Sequence, residues 1–340
     1  MLISKFCETE FSSYEDFRDR FQIHVPENFN FAYDVVDELA RTKPEARALV
    51  WCDDKGNEAT FTFADMKRLS DKAASMLVSY GIRKGDVVMT LLRSKYQYWI
   101  CALALHKIGA VLLPATHQLM EKDLEYRFTA ASVAAVVAID DPRLLAAIDD
   151  AQQKAPSLRC KFVVGEAHEG YIDFDAALDA APDDFQRPTG KDAACNDDLL
   201  LMYFTSGTTG LPKMVVHDCR YPLGHILTAK FWQDLHPGDL HFTHADTGWA
   251  KTSWGKIYGQ WICEAAIFVY DYDSKFNPTD LLHVIEQHKV TVFCAPPTVF
   301  RFLIKADIEH YDLSSLRHCC IAGEPLNAEV YNKWKQLTGL

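Results

Sequence analysis

Apolar positions along the chain fall into two alternating patterns. Met66, Leu69, Ala73, Leu77 and Tyr80 recur at helical spacing and stop at Gly81, which predicts a helix closed by a glycine. Val87–Leu92, Ala110–Leu113, Ser132–Ile139, Val290–Cys294 and Leu316–Ala322 are short continuous apolar runs, the pattern of strands buried on both faces. Between these runs, Asn30 can cap a helix through Leu39 that ends before Pro44, and Ser94-x-x-Gln97 reads as a capping box. A further helix is predicted over Asp280–His288 and another from Asn327. Ala48–Cys52 and Ala59–Phe61 flank Asp53-Asp54-Lys55-Gly56-Asn57, a hairpin signal. Strands alternating with helices predict an α/β fold of mostly parallel sheets flanked by helices.

Asp175–Asp198 breaks the alternation: it is rich in Asp, Ala and Pro and has little periodicity. It divides the chain into a first α/β subdomain over 1–174, a linker or surface excursion over 175–198, and a second α/β subdomain over 199–340.

Composition narrows the class. With 49% hydrophobic residues in 340, the chain can bury a sizeable core, which excludes largely disordered readings. Its 35 basic against 47 acidic residues give a net charge of −12, which argues against broad adhesion to nucleic acid or anionic lipid. The most membrane-like segment, Tyr98–Ala115, is broken by His106 and Lys107, punctuated by Gly109 and stopped by Pro114. It predicts a helix, a turn and a buried strand in place of a membrane span. Met1–Phe17 has no apolar stretch behind a basic segment and does not read as a signal peptide. The ten cysteines form no C-x-x-C pair, and Cys101, Cys263 and Cys294 sit in apolar runs. Buried thiols in a reducing cytoplasm are the expectation.

One segment carries the chemistry. Leu199–Phe204 is an apolar run, followed by Thr205-Ser206-Gly207-Thr208-Thr209-Gly210-Leu211-Pro212-Lys213 and a second apolar stretch, Met214–His217. From Leu199 to His217 there is no carboxylate, and Lys213 is the one fixed charge. Four hydroxyls and two glycines fill the six positions Thr205 to Gly210. Glycines allow close backbone approach, amides form an anion nest, hydroxyls donate to phosphate oxygens, and the lysine adds a point charge. The segment is not a Walker loop, since Pro212 precedes the lysine and no Ser or Thr follows it. Nor does it hold a dinucleotide fingerprint or a G-x-S-x-G elbow.

Tyr203–Lys213 resembles the signature loop of the acyl-adenylate-forming superfamily. Asp246-Thr247-Gly248-Trp249-Ala250-Lys251, Ala322-Gly323-Glu324-Pro325-Leu326 and Leu113-Pro114-Ala115-Thr116-His117-Gln118 resemble motifs of its medium-chain acyl-CoA synthetases. The resemblance implies the large N-terminal domain of that fold and a two-step ligase: a small-to-medium carboxylic acid, activated by ATP as acyl-AMP, is passed to CoA. It implies that Thr205–Lys213 bind the ATP phosphates with Mg²⁺, and that Gly323, Glu324 and Pro325 lie along the adenine. It places Trp249 and Thr298 at the acyl pocket and Gln118 at CoA. It also implies that motifs beyond Leu340 and a C-terminal lid with the adenylation lysine are absent, so that the 340 residues are an incomplete N-terminal part with no certain catalytic residue.

Several of these residues have plainer readings. Trp249 and Trp254 suit core packing, Thr298 suits the N-cap of a helix over Val299–Ile304, and Lys251 suits a solvated surface. His241 and His244, three apart on a strand, point to opposite faces, so no metal site is assigned. Two other functions stay open: a non-catalytic nucleotide-binding module, and an adenylation domain that loads a carrier protein.

Overall fold

The computed structural model describes residues 1–205 and 210–340. Its strands, in chain order, are β1 (Arg47–Asp53), β2 (Glu58–Thr62), β3 (Val87–Leu91), β4 (Val111–Pro114), β5 (Val133–Ile139), β6 (Cys160–Val164), β7 (Ile172–Asp173), β8 (Leu199–Thr205), β9 (Lys213–Asp218), β10 (Leu240–Thr243), β11 (Ala266–Asp271), β12 (Val292–Ala295) and β13 (His318–Ile321). They form two sheets, ordered β7-β6-β5-β3-β4-β8-β9 and β13-β12-β10-β11-β1-β2. Pairing is parallel except at β1–β2 and β8–β9, the two hairpins.

The central strands of both sheets are buried on both faces, as the continuous apolar runs predict, while β9 and β2 at the edges are partly exposed. In β1, Leu49 and Trp51 join the core that surrounds the seven-stranded sheet. Val50 and Cys52, on the opposite face, join a second core with Phe268, Phe293 and residues of the helices Pro278–His288, Pro297–Leu303 and Ala328–Thr338. The second sheet is thus the shared wall between two apolar layers. Trp261, in the first of these layers, donates from Nε1 to Ala48 O of β1 at 2.8 Å, which keeps a buried indole satisfied.

The sheets do not divide the chain at 175–198. The hairpin β1–β2 lies in the second sheet, and β8–β9 lies in the first, beside β4. Sequence contiguity misleads here because a hairpin's pattern states that its strands pair, not which sheet receives them. The 175–198 stretch contributes part of the helix Phe174–Ala180 and then runs as a strap. Arg187 reaches Asp34 Oδ1 at 2.6 Å, and Asn196 Oδ1 accepts from Phe29 N at 2.8 Å while its Nδ2 donates to Pro26 O.

Local signals hold in most places. Asn30 Oδ1 accepts from Ala32 N at 3.0 Å, and the helical segment it caps continues to Thr42. The segment 98–115 is a helix to Ile108, a left-handed Gly109 (φ 79°) and β4. No helix among the described residues is long and apolar enough to cross a membrane. Two capping expectations are corrected. The helix after β3 starts at Gln97 without a side-chain cap; Gln97 Nε2 is engaged by Asp175, and Ser94 is buried where its carbonyl accepts from Trp51 Nε1. Thr298 lies one residue inside the helix Pro297–Leu303, which starts on prolines and needs no donor satisfied there.

Candidate active site

The parallel strands of both sheets deliver their C-terminal ends to one seam, where α/β folds bind ligands. From the first sheet come Arg93 after β3, Thr116–Gln118 after β4, and Tyr203–Thr205 at the end of β8; from the second come His244–Lys251 after β10 and Ala322–Pro325 after β13.

The loop after β8 is described at its two ends, and Ser206, Gly207, Thr208 and Thr209 lie outside the described residues. Thr205 and Lys213 are register partners in the β8–β9 hairpin, with Thr205 Oγ1 3.4 Å from Lys213 O. Gly210 has φ 140°, a conformation that a side chain would strain. Tyr126 OH donates to Pro212 O at 3.0 Å, and Leu211 and Lys213 are exposed.

Opposite the loop end, residues 245–249 are clamped from all sides. Gly248 N donates to Asp246 Oδ1 at 2.8 Å, Thr252 Oγ1 donates to Asp246 O at 2.8 Å, and Thr247 Oγ1 donates to Arg93 O. Lys256 Nζ, fully buried, donates to Ala245 O at 2.7 Å. Burial lowers the Lys256 ammonium to about 7, because the charged form loses its hydration and has no ion-pair partner among the described residues. Gly248 admits no side chain, since a Cβ there would sit 2.4 Å from Thr116 N.

This clamping leaves Trp249 65% exposed between two cavities. One, about 470 Å³, is lined by Tyr203, Thr205 and Pro212 of the loop, by Thr116, and by Gly248–Ala250. The other, about 270 Å³, is polar and is lined by Thr116, Gln118, Arg93, His244 and Lys256. Arg93 is held there by Asp271 at 2.7 Å and Asp273 at 2.5 Å. His244 Nε2 meets Tyr272 OH at 3.1 Å, and burial, aided by Lys256 and Lys251, drops its pKa to about 3. His241 has a different partner, Thr243 Oγ1 at 2.8 Å.

The third motif joins through Lys251. Its Nζ donates to Ala322 O at 3.3 Å, and burial lowers its pKa, so it is not a solvated surface cation. Gly323 takes φ 104°, and Gly323, Glu324 and Pro325 are exposed. Both Glu324 carboxylate oxygens accept from Thr298 Oγ1, at 2.8 and 2.7 Å, and Arg301 Nη2 reaches Oε2 at 3.1 Å. Thr298 therefore faces Glu324; it lines neither of the cavities beside Trp249. Trp254 packs against Trp232 at 5.7 Å.

Trp249 and the loop ends thus come together at one cavity, Gln118 and Trp249 at the other, and 322–325 is tied to the same helix start by Lys251. Tyr126, Arg127, Arg93 and Lys256 were missed by sequence reasoning. Lys256 alone gave a signal, a single lysine between apolar residues ahead of Ile257–Cys263.

A family model described as AMP-binding enzyme matches residues 36–340. The chain is 36% identical over 338 residues to acyl-coenzyme A synthetase ACSM3, mitochondrial, of Rattus norvegicus, covering 97% of this chain and 57% of that protein. It is 35% identical over 325 residues to acyl-coenzyme A synthetase ACSM4, mitochondrial, of Mus musculus, covering 93% and 55%. The chain therefore spans little more than half the length of these relatives. Among solved structures, an acyl-CoA synthetase of Brucella canis matches with a TM-score of 0.78 at 26% identity, over 92% of this chain and 56% of that one. The anthranilate CoA ligase AuaEII in complex with anthranoyl-AMP shares the fold with a TM-score of 0.84 at 24% identity, over 93% and 59%. Sequence, fold and the seam between the sheets agree, and the chain belongs to the AMP-binding enzyme family.

Proposed function

We propose that this chain is the nucleotide- and acid-binding part of an AMP-forming acid–CoA ligase. The observation that carries this is the meeting of the described ends of the carboxylate-free loop after β8, Thr205 and Pro212, with the clamped Gly248–Trp249 turn at one cavity. In the first step a carboxylate oxygen of the acid attacks the α-phosphorus of ATP. The new O–P bond gives acyl-AMP, and the bond to the bridging oxygen breaks to release pyrophosphate. In the second step the sulfur of CoA attacks the acyl carbon, the C–O bond to AMP breaks, and the thiol proton passes to solvent.

The acid is already an anion and a nucleophile, so the first step needs no base. What the protein supplies is in-line positioning and neutralisation of phosphate charge. Thr205 and Lys213 serve at the described ends of the loop, and the phosphates are assigned to Thr205–Lys213 as a whole on residue chemistry. Trp249 forms one wall for the acyl group, and Gly323–Pro325 one edge for the adenine. The cavity holding Gln118 is assigned to CoA, whose thiol must reach the acyl carbon of the acyl-AMP. Mg²⁺ neutralises charge on the phosphates when bound. The hydroxyl-rich, carboxylate-free loop fits an ion that arrives on the nucleotide, with Thr205 among its oxygen donors. The relatives named acyl-coenzyme A synthetase support transfer to CoA over a carrier protein.

The test is pyrophosphate release dependent on a carboxylic acid, followed by thioester formation on CoA, measured with this chain and with a form extended to the length of its relatives. Acid-dependent release by the extended form supports the ligase. Binding of ATP without any acid-dependent release by either form would favour a nucleotide-binding module. For the compartment, the ten free cysteines support a reducing milieu, and we assign the cytoplasm. Cell fractionation that places the protein elsewhere would replace that assignment.

A further inference from the structure

Among the residues lining the 470 Å³ cavity beside the loop, none carries a carboxylate and one carries a charge, Arg127. In a chain of net charge −12, that is the electrostatic lining of an anion site. Arg127 lies on the helix Glu121–Ala130 with its side chain 12% exposed. Its guanidinium sits over the Phe204 ring, 5.2 Å from the centroid, at the strand end that leads into the loop. Among the described residues only Nη1 has partners: it donates to Asp123 O at 3.0 Å and lies 3.4 Å from Asp123 Oδ1, a half-exposed carboxylate. Nε and Nη2 have no described acceptor at the cavity wall. The preceding residue, Tyr126, holds the other end of the loop through Pro212 O at 3.0 Å, and its ring meets Phe204 edge-on at 5.8 Å.

We propose that Arg127 is a second cation of the phosphate subsite, binding a phosphoanhydride anion together with Lys213, and that Tyr126 is a positioning residue for the loop. This rests on the ATP-binding reading given above. A guanidinium presents a planar fork of donors that suits two phosphate oxygens at once, which the lysine ammonium does not. Apolar walls lower the local dielectric and strengthen the attraction. Phosphoanhydride oxygens occur both in the ATP polyphosphate and in CoA; contact with Phe204, Thr205 and Pro212 at the loop favours the nucleotide.

Calorimetric titration of ATP, pyrophosphate, AMP and CoA into the 340-residue chain separates these sources. Arg127→Met is expected to weaken ATP and pyrophosphate about ten- to a hundredfold, the scale of a lost charged hydrogen-bond pair. AMP and CoA should change by less than about twofold. The slope of log Kd against log salt for pyrophosphate should become shallower, which a merely structural role would not cause. Arg127→Lys should recover part of the affinity, and Tyr126→Phe should weaken ATP with the salt slope unchanged. Should Arg127→Met not fold, Arg127→Gln carries the same expectation. Unchanged ATP and pyrophosphate affinity, or equal losses for ATP and AMP, would overturn the proposal. A loss confined to CoA would assign the anion to CoA and overturn the nucleotide assignment. If the unmodified chain bound neither ATP nor pyrophosphate, the ATP-binding reading would fall as well; binding that Arg127→Met leaves intact removes the Arg127 role alone.

Discussion

Gly248 lies against the backbone of Thr116, where an added Cβ would come within 2.4 Å of the Thr116 nitrogen and 2.6 Å of the Ala115 carbonyl carbon. The two residues come from different sheets, so this contact sets how closely the β4 and β10 ends approach. Gly248→Ala is expected to lose about 1–3 kcal/mol of stability, as overpacking against unyielding backbone does. It should also displace Trp249. Urea denaturation reports the first effect and indole fluorescence the second; an unchanged midpoint together with an unchanged spectrum would contradict the close packing.

Lys213 is exposed at the start of β9 and contributes no buried packing. Lys213→Met is therefore expected to leave the melting temperature within about 2 °C while weakening ATP about tenfold or more and AMP by far less. Equal losses for the two nucleotides in a binding titration would contradict a role at the β- and γ-phosphates.

Lys107 is completely buried, 2.5 Å from Asp71 and 2.9 Å from Asp37, and burial raises the Asp37 carboxyl. Lys107→Met leaves the Asp37 carboxylate without its ion-pair partner and Asp71 with Lys67 alone, and is expected to cost about 3–5 kcal/mol. Adding Asp71→Asn should recover part of that loss. A double-mutant cycle in urea measures the coupling, and strictly additive losses would show that the pair does not interact.

His106, His241 and His244 are each driven down to about 3 by burial. In the unfolded chain each would bind a proton near its ordinary value of about 6.5. Between these limits the unfolded state holds more protons than the folded one, so stability falls as pH drops from 6.5 toward 3. Each histidine contributes at most about 1.4 kcal/mol per pH unit to the slope. His241→Gln should flatten the dependence of urea stability on pH across that window. An unchanged slope would mean that His241 is protonated in the fold.

Lys256 gives a slope of the same sign in another window. Its folded value of about 7 lies below the unfolded lysine value of about 10.4, so stability rises from pH 7 to about 10. Lys256→Met should remove that rise and stabilise the protein most at neutral pH and below, where the buried charge costs most. If Lys256→Met instead destabilises equally at every pH, the bond to Ala245 O outweighs the charge.

Local chemistry in this chain was readable residue by residue. Asn30 and Asn327 cap helices because their oxygens accept from amides two residues on, and Asp53 folds its own hairpin turn the same way through Lys55 N; the helix expected from Asp280 starts earlier, at Pro278, on an Asn277 cap. The carboxylate-free loop and the glycine of 246–251 were also legible, because chemistry restricts residue type there. Ser94 and Thr298 misled because each had a distant alternative partner, Trp51 in one case and Glu324 in the other. Arg127 and Tyr126 look like ordinary helix-surface residues in sequence; their meaning depends on β8 lying beside β4, which no local pattern encodes.

The hairpin β1–β2 waits a long time for its place. Its partner β11 begins at Ala266, and the bond from Trp261 to Ala48 closes a separation of 213 residues. During synthesis, at about 5–20 residues per second, β1 would stay exposed for roughly 10–40 s before its neighbour leaves the ribosome. Such long-range parallel pairing folds slowly and leaves an apolar edge open meanwhile. The interleaved topology that builds the seam between the sheets therefore leaves the first strands without their sheet neighbour until residue 271 has emerged.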